Sequence, residues 1–113
     1  MKEGGSMLKM SIEMNTQKIL SERKHNLSNI YHTIDSIFLQ TGLIKNPTNN
    51  KHLMYHGTNH PKDFGRFGKI FNFLKKQTWF IENVSSWILY DNEYAETPDE
   101  FYAEDLLRDY HSK

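Results

Sequence analysis

Two short words, Tyr55-His56-Gly57-Thr58-Asn59 and Thr78-Trp79-Phe80-Ile81-Glu82-Asn83, together with Tyr90, gather residue types able to handle a ligand. An imidazole donates to a hydroxyl, and a glycine without Cβ lets its own N–H and C=O approach an amide as donor and acceptor at once. Aromatic side chains hold a flat ring between their faces. His52, His56 and His60 recur every four residues, a spacing that on a helix would align three imidazoles for zinc. Gly57 and Pro61 oppose a helix there, and on an extended chain at ~3.3 Å per residue successive imidazoles stand roughly 13 Å apart. No metal is therefore expected. His32 and Asp35, one helical turn apart, read as a solvated pair rather than a general base.

The two words and the Tyr beyond them resemble the ADP-ribosyltransferase superfamily, above all its compact phage and mobile-element members. There a first strand ends in His-Gly-Thr or His-Gly-Ser, a Phe-containing loop comes next, and a second strand with an aromatic-Phe pair precedes a short helix ending in Tyr. The resemblance covers about Leu53 to Ala95. It implies NAD as substrate, with His56 contacting the ribose, Gly57 clamping the nicotinamide amide, Thr58 supporting, and Trp79 and Tyr90 as the stacking aromatics. Trp79 and Tyr90 are separated by eleven residues, as in the poly-ADP-ribosyl branch. Glycosyl transfer passes through an oxocarbenium-like cation, so the ribose and nicotinamide must be fixed before charge develops. Trp79 replaces the usual Tyr, Ile81 a small or hydroxyl residue, and Trp87 falls where that branch has a Ser. The family's third motif, a Glu on a later strand, has no identified counterpart: Glu93, Glu96, Glu100 and Glu104 remain, the last two on an expected helix. The catalytic residue stays unassigned, and the implied function is that of an NAD-binding domain, incomplete or catalytically weakened.

A second reading rests on charge. The 113 residues carry 14 basic and 14 acidic side chains, a formal net charge of zero. That zero hides a split: residues 1–81 hold 12 Lys and Arg against five acids, and residues 82–113 hold nine acids against Arg108 and Lys113. Between Pro61 and Gln77, Lys62, Arg66, Lys69, Lys75 and Lys76 interleave with Phe64, Phe67, Phe71 and Phe73. Cations beside aromatics suit phosphates and bases, or an NAD pyrophosphate, although phenylalanines more commonly fill a core while lysines stay solvated. The alternative function is thus a non-enzymatic interaction module, a small phage-type inhibitor or nucleic-acid-binding protein, acting through 61–77 or through the acidic C-terminal helix. A protein target is preferred to nucleic acid. No phosphate-cradling Gly-rich loop is present. The longest apolar run is four residues, Trp87 to Tyr90, too short for a membrane span. With no Cys, disulfide frameworks and thiolate sites are excluded, and a cytoplasmic chain is expected.

The elements that must position these residues make an α+β domain over residues 15–113. Residues 1–14, with four Met and a Gly-Gly-Ser, read as a flexible leader. Apolar residues at three- and four-residue steps from Ile19 to Phe38 predict a helix or helical hairpin over 15–42, started by Asn15 or Thr16 and ended by Gly42. Lys45 to Lys51 is a loop. Residues 51–95 hold the transferase-like core: a strand through Leu53 to Tyr55, a loop leading to a short strand or helix turn, a strand over 77–81 and a helix over 83–90. A helix over 97–111 closes the chain, capped by Thr97 with Pro98 and Glu100 behind it. The expected whole is an N-terminal helical segment, a small antiparallel sheet and a C-terminal helix.

Overall fold

The computed structural model describes residues 7–47, 52–58, 60–92 and 101–111. In chain order the elements are β1 (Leu8–Met14), α1 (Thr16–Glu22), α2 (Leu27–Gln40), β2 (Ile44–Lys45), β3 (His52–His56), α3 (Asp63–Leu74), α4 (Thr78–Ile81), β4 (Val84–Asp91), β5 (Tyr102–Asp105) and α5 (Leu106–His111). The five strands form one antiparallel sheet in the order β2-β3-β1-β4-β5. An α+β class is what the sequence led one to expect. Its first part, strand, helices, two strands, helices, strand with β1 between β3 and β4, has the connectivity of a ferredoxin-like split βαβ arrangement. β5 then extends the β4 edge.

The largest correction concerns the leader. Residues 8–14 are the central strand, paired with β3 on one side and β4 on the other. Leu8, Met10, Ile12 and Met14 alternate into the core, and the period of two places them all on one face. Residues 1–6 lie outside the described part.

The helical expectation for 15–42 holds as a pair of helices. Asn15 Oδ1 accepts from the Lys18 N–H at 3.1 Å and starts α1. Arg23, with φ of 58°, ends it in the left-handed conformation, and Asn26 starts α2 by accepting from the Asn29 N–H at 3.0 Å. Ile30, Ile34 and Phe38 give α2 its buried stripe, and Gly42, with φ of 92°, turns the chain out of it.

Between residues 60 and 91 three assignments change. The stretch after Pro61 is the twelve-residue helix α3, burying Phe67, Ile70 and Leu74. Residues 78–81 form one helical turn, not a strand, and 84–91 form a strand, not a helix. Short aromatic runs carry no decisive period. Here Asn83, buried, donates from its side chain to the Trp79 carbonyl at 2.8 Å and closes the turn, leaving the β-favouring run Val84 to Tyr90 to pair with β1. Near the C-terminus, among the described residues, Tyr102–Asp105 pairs with β4 and only Leu106–His111 is helical. The expected cap at Thr97 lies outside the described residues.

The core occupies the sheet face carrying Met10, Ile12, Tyr55 and Trp87, against α2, α3 and α4. Phe38 stacks on Tyr55 with centroids 3.8 Å apart, and Phe71 and Phe80 approach Trp87 at 5.0 and 4.9 Å. Trp87 Nε1–H points at Met10 Sδ, 3.2 Å away. Among the described residues no helix is long and apolar enough to cross a membrane.

Candidate functional site

The His-Gly-Thr word does end a strand, as expected. His56 is the last residue of β3, and the Gly57 N–H donates to the Leu8 carbonyl at 2.9 Å, tying the turn to β1. Beyond this turn the chain knots around Asp63, which is 1% exposed in the first turn of α3. Its carboxylate accepts from the His60 N–H at 3.0 Å and the Arg66 guanidinium at 3.1 Å, with the Thr58 hydroxyl at 3.5 Å. The helix dipole favours an anion at this position. A Cβ added to Gly57 would stand 2.3 Å from Asp63 Oδ2, so glycine is required by close packing. His56 Nδ1–H donates to Asn46 Oδ1. The His56 Nδ1–H, the Gly57 N–H and the Thr58 hydroxyl, which the resemblance assigns to a ligand, are thus engaged within the chain.

Antiparallel register decides what accompanies His56. Lys9 pairs with His56 on one side and Tyr90 on the other, so the three side chains share the sheet face opposite the core. At roughly 4.8 Å per strand, His56 and Tyr90 stand about 10 Å apart with Lys9 between them. The Lys9 ammonium lies 4.3 Å from the centroid of the Phe101 ring. Trp79 is elsewhere. It sits on α4 and borders a surface hollow with Asn26, Asn29 and Thr33, at the Met14 end of β1, where the Asn15 N–H donates to the Asn83 carbonyl at 2.7 Å. Five residues of strand, roughly 17 Å, separate that end from Lys9. The structure brings His56, Gly57, Thr58 and Tyr90 to one end of the sheet and leaves Trp79 at the other.

The three histidines do not converge. His52 Nε2 meets Ser11 Oγ at 2.5 Å, His56 meets Asn46, and His60 Nδ1 accepts from the Lys62 N–H at 3.1 Å. Among the described residues no group of three His, Cys, Asp or Glu side chains is placed to hold a metal ion. Asp35 accepts from the Tyr55 hydroxyl and pairs with Lys45 at 2.9 Å. Burial, then the hydrogen bond to Asp35 and its charge, push the Tyr55 hydroxyl far above its ordinary range.

The basic-aromatic segment is helical and two-sided. Phe67 is in the core and Phe71 packs against Trp87, as phenylalanines usually do. Phe64 and Phe73 do the opposite, 71% and 46% exposed. Lys62, Lys69 and Lys76 are exposed, the first two on the flank of Phe73 and away from Phe64, Arg66 is held by Asp63, and the Lys75 ammonium lies 5.1 Å from the Phe71 centroid.

Glu104 and Asp109 form a feature that spacing alone did not reveal. Glu104 lies on β5, where a helix was expected, and Asp109 on α5, and both border a cavity of about 450 Å³ between α3 and the β4–β5 edge. On one continuous helix these two positions would have had no special relation. The strand-to-helix break at Leu106 turns them together. Comparison of the chain with protein-family models, with curated proteins and with solved structures finds no match in any of the three.

Proposed function

We propose that this protein is a non-enzymatic interaction module that binds an acidic, partly apolar protein surface through the flank of α3 that carries Phe73. The observation that carries the reading is the exposure of Phe73 on the α3 flank that also carries Lys62 and Lys69, with Lys76 just past the helix end; Phe64, nine residues from Phe73 and so half a turn round the helix, borders the cavity instead. Leaving a phenylalanine in water forgoes about 1.5–3 kcal/mol of burial, and a partner covering the ring recovers it. The surrounding cations select for acid and speed encounter. A convex helix flank with an apolar anchor suits a groove on another protein. Single-stranded nucleic acid is instead bound along a basic groove lined with several stacking aromatics, and this convex flank presents one ring.

The test uses a synthetic amphipathic peptide alternating Glu and Leu, with an oligo-dT of similar charge as comparator. Peptide binding that weakens at least tenfold in the Phe73→Ala variant, falls steeply with salt and ignores His56→Ala supports the module. Equal binding by parent and variant overturns it, and tighter binding of the oligonucleotide assigns the face to nucleic acid instead.

A second reading, an ADP-ribosyltransferase-like NAD-binding domain, is favoured by the shared row of His56, Lys9 and Tyr90. An imidazole, an ammonium and a phenol, half-buried on one sheet face, match the ribose, pyrophosphate and ring of NAD in kind. Calorimetry with millimolar NAD decides it: heat that disappears in Lys9→Ala and Tyr90→Ala supports this reading, and no heat from the folded parent removes it.

A further inference from the structure

The cavity beside α3 has an asymmetry in its walls. Its floor is apolar and comes from both layers: Met10 and Leu89 from the sheet, Phe67 and Phe71 from α3, Leu106 from α5. Gly68 forms part of the α3 wall, and a Cβ there would meet nothing within 4 Å, so the space above it is open. At about 450 Å³ the cavity lies within the range of roughly 300–1,000 Å³ typical of small-molecule sites. Among the described residues that line it, the only charged groups are the carboxyls of Glu104 and Asp109. The two are hydrogen-bonded to each other, which, with burial and the Asp109 charge, raises Glu104 above the ordinary carboxylate range.

Two acids close enough to share a proton are held there at a cost whenever both ionise, and a cation between them removes that cost. An anion is repelled from such a rim. A neutral apolar molecule would fill the floor but leave the acids as they are. The complement of an apolar floor with a paired-acid rim is therefore a molecule with a hydrocarbon body and one cationic end. We propose that this cavity binds a small apolar amine, an alkyl- or arylalkylammonium whose body lies between α3 and β4 and whose ammonium bridges Glu104 and Asp109. The amine enters beneath the helix on the side of Phe64, and the acidic partner covers the opposite flank, at Phe73.

The test is an NMR titration of the full chain with 2-phenylethylammonium, read at the methyl groups of Met10 and Leu89, with 2-phenylethanol and methylammonium as matched probes. The expected result is saturable shifts with the amine, at least tenfold weaker binding of the alcohol, and none of methylammonium in the same range. Glu104→Gln/Asp109→Asn is expected to bring the amine down to the affinity of the alcohol. Gly68→Leu, which touches neither acid, is expected to abolish both. Saturable binding of the alcohol as tight as that of the amine overturns the assignment, as does unchanged amine affinity in the double variant. Absence of any shift in the folded parent at millimolar amine overturns it as well. Should the double variant fail to fold, the amine-to-alcohol ratio in the parent and the loss in Gly68→Leu still decide.

Discussion

α3 begins at a knot and runs past a hole. At its first turn the Asp63 carboxylate is packed against Gly57 and takes hydrogen bonds from the His60 N–H and the Arg66 guanidinium. One turn further, Gly68 faces open space over the apolar floor of Met10, Phe67 and Leu89. The two glycines look alike in the sequence, and the structure gives them opposite meanings. The first is a glycine because a carboxylate occupies the place of its Cβ. The second has no such neighbour. Polar residues that spell a familiar word can be wholly engaged in building a turn, while vacant space lies where no word marks it.

The comparison breaks most sharply at Gly57. Gly57→Ala is expected to cost about 3 kcal/mol, because backbone and carboxylate must separate within a buried network. Thermal unfolding is expected to show a midpoint lowered by roughly 10 °C; a change under 2 °C would mean the turn is loose and its groups free for a ligand.

Asp63→Ala comes next, at about 2 kcal/mol, since it strands the His60 N–H and the Arg66 guanidinium. In that background Gly57→Ala should lose much of its cost, for the obstructing atoms are gone. Additive effects in a denaturant double-mutant cycle would place the strain elsewhere.

Gly68→Ala has the opposite sign. With nothing within 4 Å of the new methyl, only helix propensity acts, and stability should rise by about 0.5–1 kcal/mol. A loss would show that the wall is closed.

The smallest effect belongs to Glu104. Its folded-state pKa lies above the unfolded value, so its contribution is present in full below the unfolded pKa and is lost as pH rises through the folded one. The parent's unfolding midpoint should therefore decline slightly as pH climbs out of the ordinary carboxylate range, and Glu104→Gln should flatten that decline. An identical slope in the two proteins would remove the shared proton.

Parts of this arrangement were legible in the residues themselves. Asn15 starts a helix because its side chain reaches a free N–H three residues on, and Gly42 ends one because only glycine takes φ of 92° without strain. The strand leading to His56 was marked by Leu53 and Tyr55 alternating before a glycine. The alternation Leu8, Met10, Ile12, Met14 was equally present, but a methionine-rich start beside Gly-Gly-Ser reads as a leader until β3 and β4 are seen to flank it. In the same way 78–81 and 84–91 exchanged identities, since Trp79, Phe80, Trp87 and Tyr90 suit either element and only pairing with β1 chooses.

What the sequence determined by itself is therefore local: caps, helix ends, the buried stripe of α2, the mixed class of the fold and the presence of a basic half and an acidic half. Each depends on interactions within a few residues, or on composition, and needs no knowledge of distant neighbours. Tertiary structure alone decided which side chains meet. Strand register put Lys9 between His56 and Tyr90 and sent Trp79 to the far end of the sheet. The break between β5 and α5 set Glu104 beside Asp109. Those contacts depend on long-range pairing, where a shift of one residue would turn every side chain to the other face.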